Sequence, residues 1–195
     1  MSRLIKCLIL SLSIVAAQGA DKDAPFKPGP ASSYEFKQTI EKLTVAAVPY
    51  ESDEQARQAF GKLNPYEHGI LPVLVVMQYD GDKVLRLDRM QVEYVVGNNR
   101  IEATPAADVP YTRAPKRPNV ANPLPIPRRS SKNPLQKPEI EARAFAAKML
   151  HPGEFAYGFF YFQTGHRSNS MLYVTGIYEA ATNKDLFYFE IPFSK

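Results

Sequence analysis

The residues with the widest chemical repertoire in this 195-residue chain are three histidines, His68, His151 and His166, and none has a second His or Cys at ligand spacing. Zinc sites draw on three or four convergent ligands, so these read as turn or surface histidines, and no metal or other cofactor is expected. Asp80 and Asp82 begin like a calcium loop, but Val84 and Arg86 stand where oxygen donors are needed, and Asp80-Gly81 is better read as a hairpin turn. Glu139 and Glu141 share one exposed segment. Acid–base chemistry wants carboxylates whose environments pull their pKa values apart, so these read as solvated charge. The run Gly165-His166-Arg167-Ser168-Asn169-Ser170 carries polar groups able to face a ligand, yet its place between two strands makes it a connecting loop. No Gly-x-Ser-x-Gly elbow, phosphate-cradling glycine loop, dinucleotide fingerprint or His-Glu-x-x-His helix occurs. No catalytic residue is therefore assigned, and the protein is expected not to be an enzyme.

The elements that would position such groups begin after an N-terminal unit of another kind. Arg3 and Lys6 precede the apolar run Cys7 to Ala17, with no acidic residue before Asp21, which is the pattern of a secretory signal over residues 1–20. The run is too short to span a bilayer, which takes about 20 apolar residues. Cleavage between 17 and 20 would remove the one cysteine, leaving an exported chain without thiol or disulfide and dependent on packing. Residues 21–33, rich in Pro, Gly, Lys and Ala, read as a flexible leader, and a single domain is expected over 34–195.

Charge is unevenly spread. Between Val109 and Pro138 lie seven basic residues (Arg113, Lys116, Arg117, Arg128, Arg129, Lys132 and Lys137), eight prolines and no acidic residue. With Arg3 and Lys6 also set aside, 15 of the 24 basic residues remain against 20 acidic ones, an acidic body carrying a basic arm. Ordering the thirty residues of the arm costs more conformational entropy than its six larger apolar side chains can return. A polyproline-like excursion inserted between two strands is expected.

Within the body, Ile40 to Tyr50 reads as a strand, and Ser52 with Gln55 as a capping box opening a short helix to Phe60. Ile70 to Tyr79 is a continuous apolar run, which predicts a central strand covered on both faces. Lys83 to Val96 reads as a strand broken near Asp88, followed by Arg100 to Thr104, and Glu139 to Ala147 as a short helix. His151-Pro152-Gly153-Glu154 fits a type II turn. Strands are expected at Phe155 to Gln163, Ser170 to Glu179 and Leu186 to Phe193, with Asn183 as a turn. In the last of these, Phe187, Phe189, Ile191 and Phe193 share a core face opposite Tyr188 and Glu190. Rings such as Tyr157 or Phe160 on the second face of their strand would either line a binding surface or be covered by the helices. The sum is an all-β protein with two short helices, an antiparallel immunoglobulin-like β-sandwich of seven to eight strands.

The segments Asn64-Pro-Tyr-Glu-His-Gly-Ile-Leu-Pro72, Asn122-Pro-Leu-Pro-Ile-Pro127 and Asp185-Leu-Phe-Tyr-Phe-Glu-Ile-Pro-Phe193 resemble those of a family of uncharacterised exported bacterial proteins of the acidobacterial type. The resemblance implies export and a sandwich fold, and transfers no site. The functional expectation is a secreted or periplasmic, non-enzymatic interaction or assembly module of the cell envelope. Its arm would contact an envelope protein, anionic lipid or acidic polysaccharide, and nucleic acid is not an expected partner. The competing expectations are an envelope-polymer hydrolase and a structural domain without a ligand.

Overall fold

The computed structural model describes residues 26–112, 133–186 and 188–194. The elements in chain order are β1 (Lys37–Ile40), β2 (Leu43–Pro49), α1 (Asp53–Phe60), β3 (Leu71–Tyr79), β4 (Leu85–Arg86), β5 (Gln91–Val96), β6 (Asn99–Glu102), α2 (Pro138–Ala142), β7 (Met149–Leu150), β8 (Phe155–Phe162), β9 (Ser170–Thr175), β10 (Tyr178–Glu179) and β11 (Tyr188–Pro192). They form two four-stranded sheets, β1-β2-β3-β8 and β11-β9-β5-β6, and a small sheet β10-β4-β7. Every ladder between these strands is antiparallel. The class is all-β, as the sequence implies. The described strands number eleven because β4, β7 and β10, of two residues each, add a third sheet to the seven or eight strands expected.

The two larger sheets face each other. Leu43, Val45 and Ala47 of β2 and Val73, Val75 and Met77 of β3 pack with Val92 and Tyr94 of β5, Leu172 and Val174 of β9, and Phe189 and Ile191 of β11. Alternation along the strands sends the remaining side chains of β3 and β8 the other way, where Leu74, Val76, Phe159 and Tyr161 meet Ala59 and Phe60 of α1, Ile140 of α2, and Val109 and Leu135. β3 is thus walled on both faces and paired on both edges, as its unbroken apolar run requires. Each such fully buried aliphatic or aromatic side chain contributes about 1.5–3 kcal/mol.

Local chemistry sets the ends of the elements. The Ser52 hydroxyl accepts from the Gln55 N–H and the Gln55 side-chain oxygen accepts from the Ser52 N–H, both at 3.3 Å, so α1 starts on a full capping box. The Glu154 N–H donates to the His151 carbonyl at 3.0 Å and Gly153 has φ +77°, the geometry of the expected type II turn. The strand expected from Ile40 onward is instead a hairpin turning at Glu41 and Lys42, both at positive φ (44° and 66°). Neither is a usual residue for that conformation. Tertiary contacts hold the turn: the Lys184 ammonium donates to Glu41 at 2.6 Å, and the Asp80 N–H to the Lys42 carbonyl at 3.0 Å. α2 is shorter than expected. After Ala142 the chain straightens, and Ala144 forms a parallel bridge with Phe159 on the edge of β8.

The leader expected to be loose is docked where it is described. Phe26 sits against Tyr50, Tyr157 and Phe159, and Ala31 is fully buried, so residues 26–33 close part of the second core; 21–25 lie outside the described residues. The signal segment 1–20 also lies outside them.

Candidate functional site

Six of the seven basic arm residues, Arg113, Lys116, Arg117, Arg128, Arg129 and Lys132, lie outside the described residues. Lys137 is described: it is exposed, precedes the first residue of α2, and its N–H donates to the Leu135 carbonyl at 2.9 Å. The flanks of the arm are fixed. Val109 and Leu135 are buried in the core beneath α1 and α2. The Thr112 hydroxyl donates to the Val109 carbonyl at 2.7 Å, closing the turn at Val109–Tyr111. The Asn133 amide donates to the Pro110 carbonyl, while its side-chain oxygen accepts from the Leu135 N–H at 3.0 Å. One side chain therefore stitches the outgoing flank to the returning one. Tyr111 stands at this base, 80% exposed.

The loop 165–170, read from sequence as a connector, joins β8 to β9 and carries an ordered hydrogen-bond node. The Tyr94 hydroxyl lies 2.6 Å from the Ser170 hydroxyl, 2.9 Å from His166 Nδ1 and 2.9 Å from the Arg167 N–H. Ser170 donates to the Arg167 carbonyl at 2.5 Å, which commits its proton. Tyr94 must then donate to Ser170 and accept from both Arg167 N–H and His166 Nδ1–H. The serine hydroxyl is directed at a carbonyl and the histidine at a phenol, so the node lacks the nucleophile–base contact that serine hydrolysis uses. Burial pushes the Tyr94 hydroxyl pKa up, against the opposing effect of its hydrogen bonds with Ser170 and the Arg167 N–H. Burial pushes that of His166 down, against a weaker opposing pull from Glu51.

The remaining histidines are apart from this node. His68 ends the turn Pro65–His68, and His151 opens the turn before β8. Glu139 and Glu141 are in the first turn of α2. Among the described residues no group of three or more His, Cys, Asp and Glu could hold a metal ion, and no helix is long and apolar enough to cross a membrane.

A cleft of about 340 Å³ opens between the two large sheets, where the start of β5, the strap 102–106, residues 144–145 and the middle of β8 meet. The strap crosses from one sheet to the other: the Ala103 N–H donates to Val92 at 3.1 Å and the Thr104 N–H to Tyr161 at 2.7 Å. Phe145 and Phe160 stack in the cleft, 5.4 Å between centroids and 24° between planes. Gly158 makes that possible, because a Cβ there would lie 2.3 Å from the Phe145 Cα. Glu93 and Glu102 also line the cleft and face each other across the β5–β6 ladder. Strand alternation puts their side chains on the outer side of their sheet, opposite Val92 and Tyr94. Glu93 is paired with Arg100 at 2.7 Å, and the Arg100 guanidinium lies 4.5 Å over the Tyr173 ring.

Sequence reasoning did not find this cleft. The pairing of Glu93 with Glu102 follows from their equal distance from the Gly97-Asn98 turn, but the opposite wall comes from residues 144–145 and 159–161, whose approach no local pattern announces. Of the rings on β8, Phe155 and Tyr157 remain 37% exposed each and lie 5.4 Å apart, while Phe159 and Tyr161 on the same face are covered. Phe160 points the other way, into the cleft. Phe189 and Ile191 of β11 and Phe193 just after it are buried with Tyr188 and Glu190 outside, as the alternation implies, and the side chain of Phe187 lies outside the described residues. Compared with known proteins, the chain matches no family model, no curated protein and no solved structure.

Proposed function

We propose that the protein is an exported, non-enzymatic interaction or assembly module of the cell envelope, which uses the basic arm over 109–138 to hold an anionic lipid surface. The observation that carries this reading is the stitched base of the arm. Val109, Leu135 and the Asn133–Pro110 hydrogen bond bring both flanks to one place on an otherwise acidic body. A cluster of cations presented from one fixed point acts together. Basic residues beside an anionic leaflet are worth about 1 kcal/mol each, and the attraction fades within a Debye length of the surface. The reading as an envelope-polymer hydrolase is disfavoured by the protons at Tyr94, Ser170 and His166, which are all spent on internal partners.

The test is co-sedimentation with vesicles. The full chain is expected to adsorb to phosphatidylglycerol vesicles at low salt, to be released as salt is raised, and to ignore purely zwitterionic vesicles. Replacing Arg113, Lys116, Arg117, Arg128 and Arg129 with Gln is expected to abolish adsorption with the melting temperature nearly unchanged. Equal adsorption by the altered protein would make the arm a spacer, and adsorption only to acidic polysaccharide or to an envelope protein would move the partner from lipid to that class.

A further inference from the structure

We propose that the outer edge of β6 pairs with the same edge of a second copy of the chain, joining the β11-β9-β5-β6 sheets of the two copies into one continuous antiparallel sheet. Among the edges of the two large sheets, this is the one left open by the described residues. β1 and β11 close on each other: Phe36 meets Phe193 edge to face, 5.7 Å between centroids, and the Glu190 N–H donates to the Gln38 side chain at 2.7 Å. β8 is covered by residues 143–145 and, at Tyr161, by Thr104. Along β6, Asn99, Arg100 and Glu102 are exposed and Ile101 is half-buried. No described residue makes a backbone hydrogen bond to its outer side. Beyond Thr104 the chain diverges from β8 around a hollow lined by Glu102 and Gln163, which leaves room beside β6.

The ladder behind the edge fixes which groups face outward. The Ala103 N–H donates to the Val92 carbonyl at 3.1 Å, so that pair and, by alternation, Tyr94–Ile101 exchange the hydrogen bonds of the β5–β6 ladder. Arg100 and Glu102 therefore turn their N–H and C=O groups away from β5. The symmetric antiparallel registers that pair these groups are centred on Arg100, Ile101 or Glu102. The first sets Arg100 against its own copy and the last does the same for Glu102, and like charges directly opposed destabilise a ladder. The register centred on Ile101 sets each Arg100 against the partner's Glu102, with main-chain bonds exchanged at each such pair. A short, charged edge usually guards against pairing of this kind. Here the charges are opposite in sign and two residues apart, so self-pairing satisfies them. Glu102 gains most, because it stands opposite Glu93 and has no ion pair among the described residues. Arg100 uses Nη1 on Glu93, and a guanidinium carries five N–H donors, which leaves others for the partner's Glu102.

The test is sedimentation equilibrium of the full chain at low salt, read as a rise in mass from one chain toward two with concentration. So short an edge buries little surface, so the dimer is expected to have a Kd above about 1 μM and to weaken as salt is raised. Arg100→Glu and Glu102→Arg are each expected to abolish association, because either leaves only like charges to oppose one another. The double variant Arg100→Glu with Glu102→Arg is expected to restore it, since the register centred on Ile101 again opposes unlike charges. The two single variants, each monomeric alone, are expected to pair with each other when mixed. A native chain that stays monomeric up to about 1 mM, association retained by either single variant, or no rescue in the double variant and the mixture would each overturn the proposal. Association lost when residues 113–132 are replaced with a Gly-Ser link would overturn it too, by assigning the contact to the arm. None of these outcomes touches vesicle adsorption, so the two proposals stand or fall apart.

Discussion

His166 donates from Nδ1 to the Tyr94 hydroxyl, and its pKa is held below the ordinary value by burial. In the unfolded chain the imidazole titrates near its usual value of about 6.5. As pH falls through that value the unfolded state takes up a proton that the folded state still refuses, so stability declines from about pH 6.5 downward, until the folded histidine also protonates. Urea midpoints at about pH 7.5 and about pH 5.5 are expected to show this loss in the native protein, and a smaller one in His166→Gln, which keeps a donor for Tyr94 but has no proton to gain. A flat response in the native protein would refute the assignment. In sequence, His166 and Ser170 were visible as a polar cluster. Tyr94, which organises them, sits 72 residues from His166, and no local spacing links the two.

Among the elements, the edge of β8 is the informative one. Residues 143–145 run along it, with the Phe145 N–H donating to Phe159 at 3.1 Å and the Phe159 N–H to Arg143 at 2.8 Å. Gly158 faces this segment with no room for a side chain. Gly158→Ala is expected to push the segment off the strand and to destabilise the protein by about 1–3 kcal/mol, the usual range for overpacking, as read from urea midpoints. The sequence predicts a helix from Glu139 to Ala147, opened by Pro138; pairing with β8 ends it after Ala142. The sequence likewise predicts one strand across the Glu41-Lys42 turn, because neither residue signals positive φ and the support comes from Lys184 and Asp80, remote in the chain. Elements governed by their own residues were legible: the Ser52–Gln55 cap, the Pro152-Gly153 turn, and β3 with its unbroken apolar run.

For the whole molecule, the division into an acidic body and a basic arm was readable from charge and proline content, whereas the anchoring of the arm's flanks was not. Val109 and Leu135 look like two apolar residues in a polar stretch until α1 and α2 supply the core that receives them. The stitch at Asn133 makes the arm removable. Replacing residues 113–132 with a short Gly-Ser link is expected to leave the melting temperature within a few degrees of the parent and to abolish vesicle adsorption. A large fall in melting temperature would show that the arm helps to hold the body together.

The position of β3 has a consequence for how the protein comes apart. One strand is the shared wall of two apolar interiors, with Val73, Val75 and Met77 in one and Leu74 and Val76 in the other. Neither interior can open without stripping its neighbour of a boundary, so the layers melt together as one cooperative unit rather than peeling away in turn.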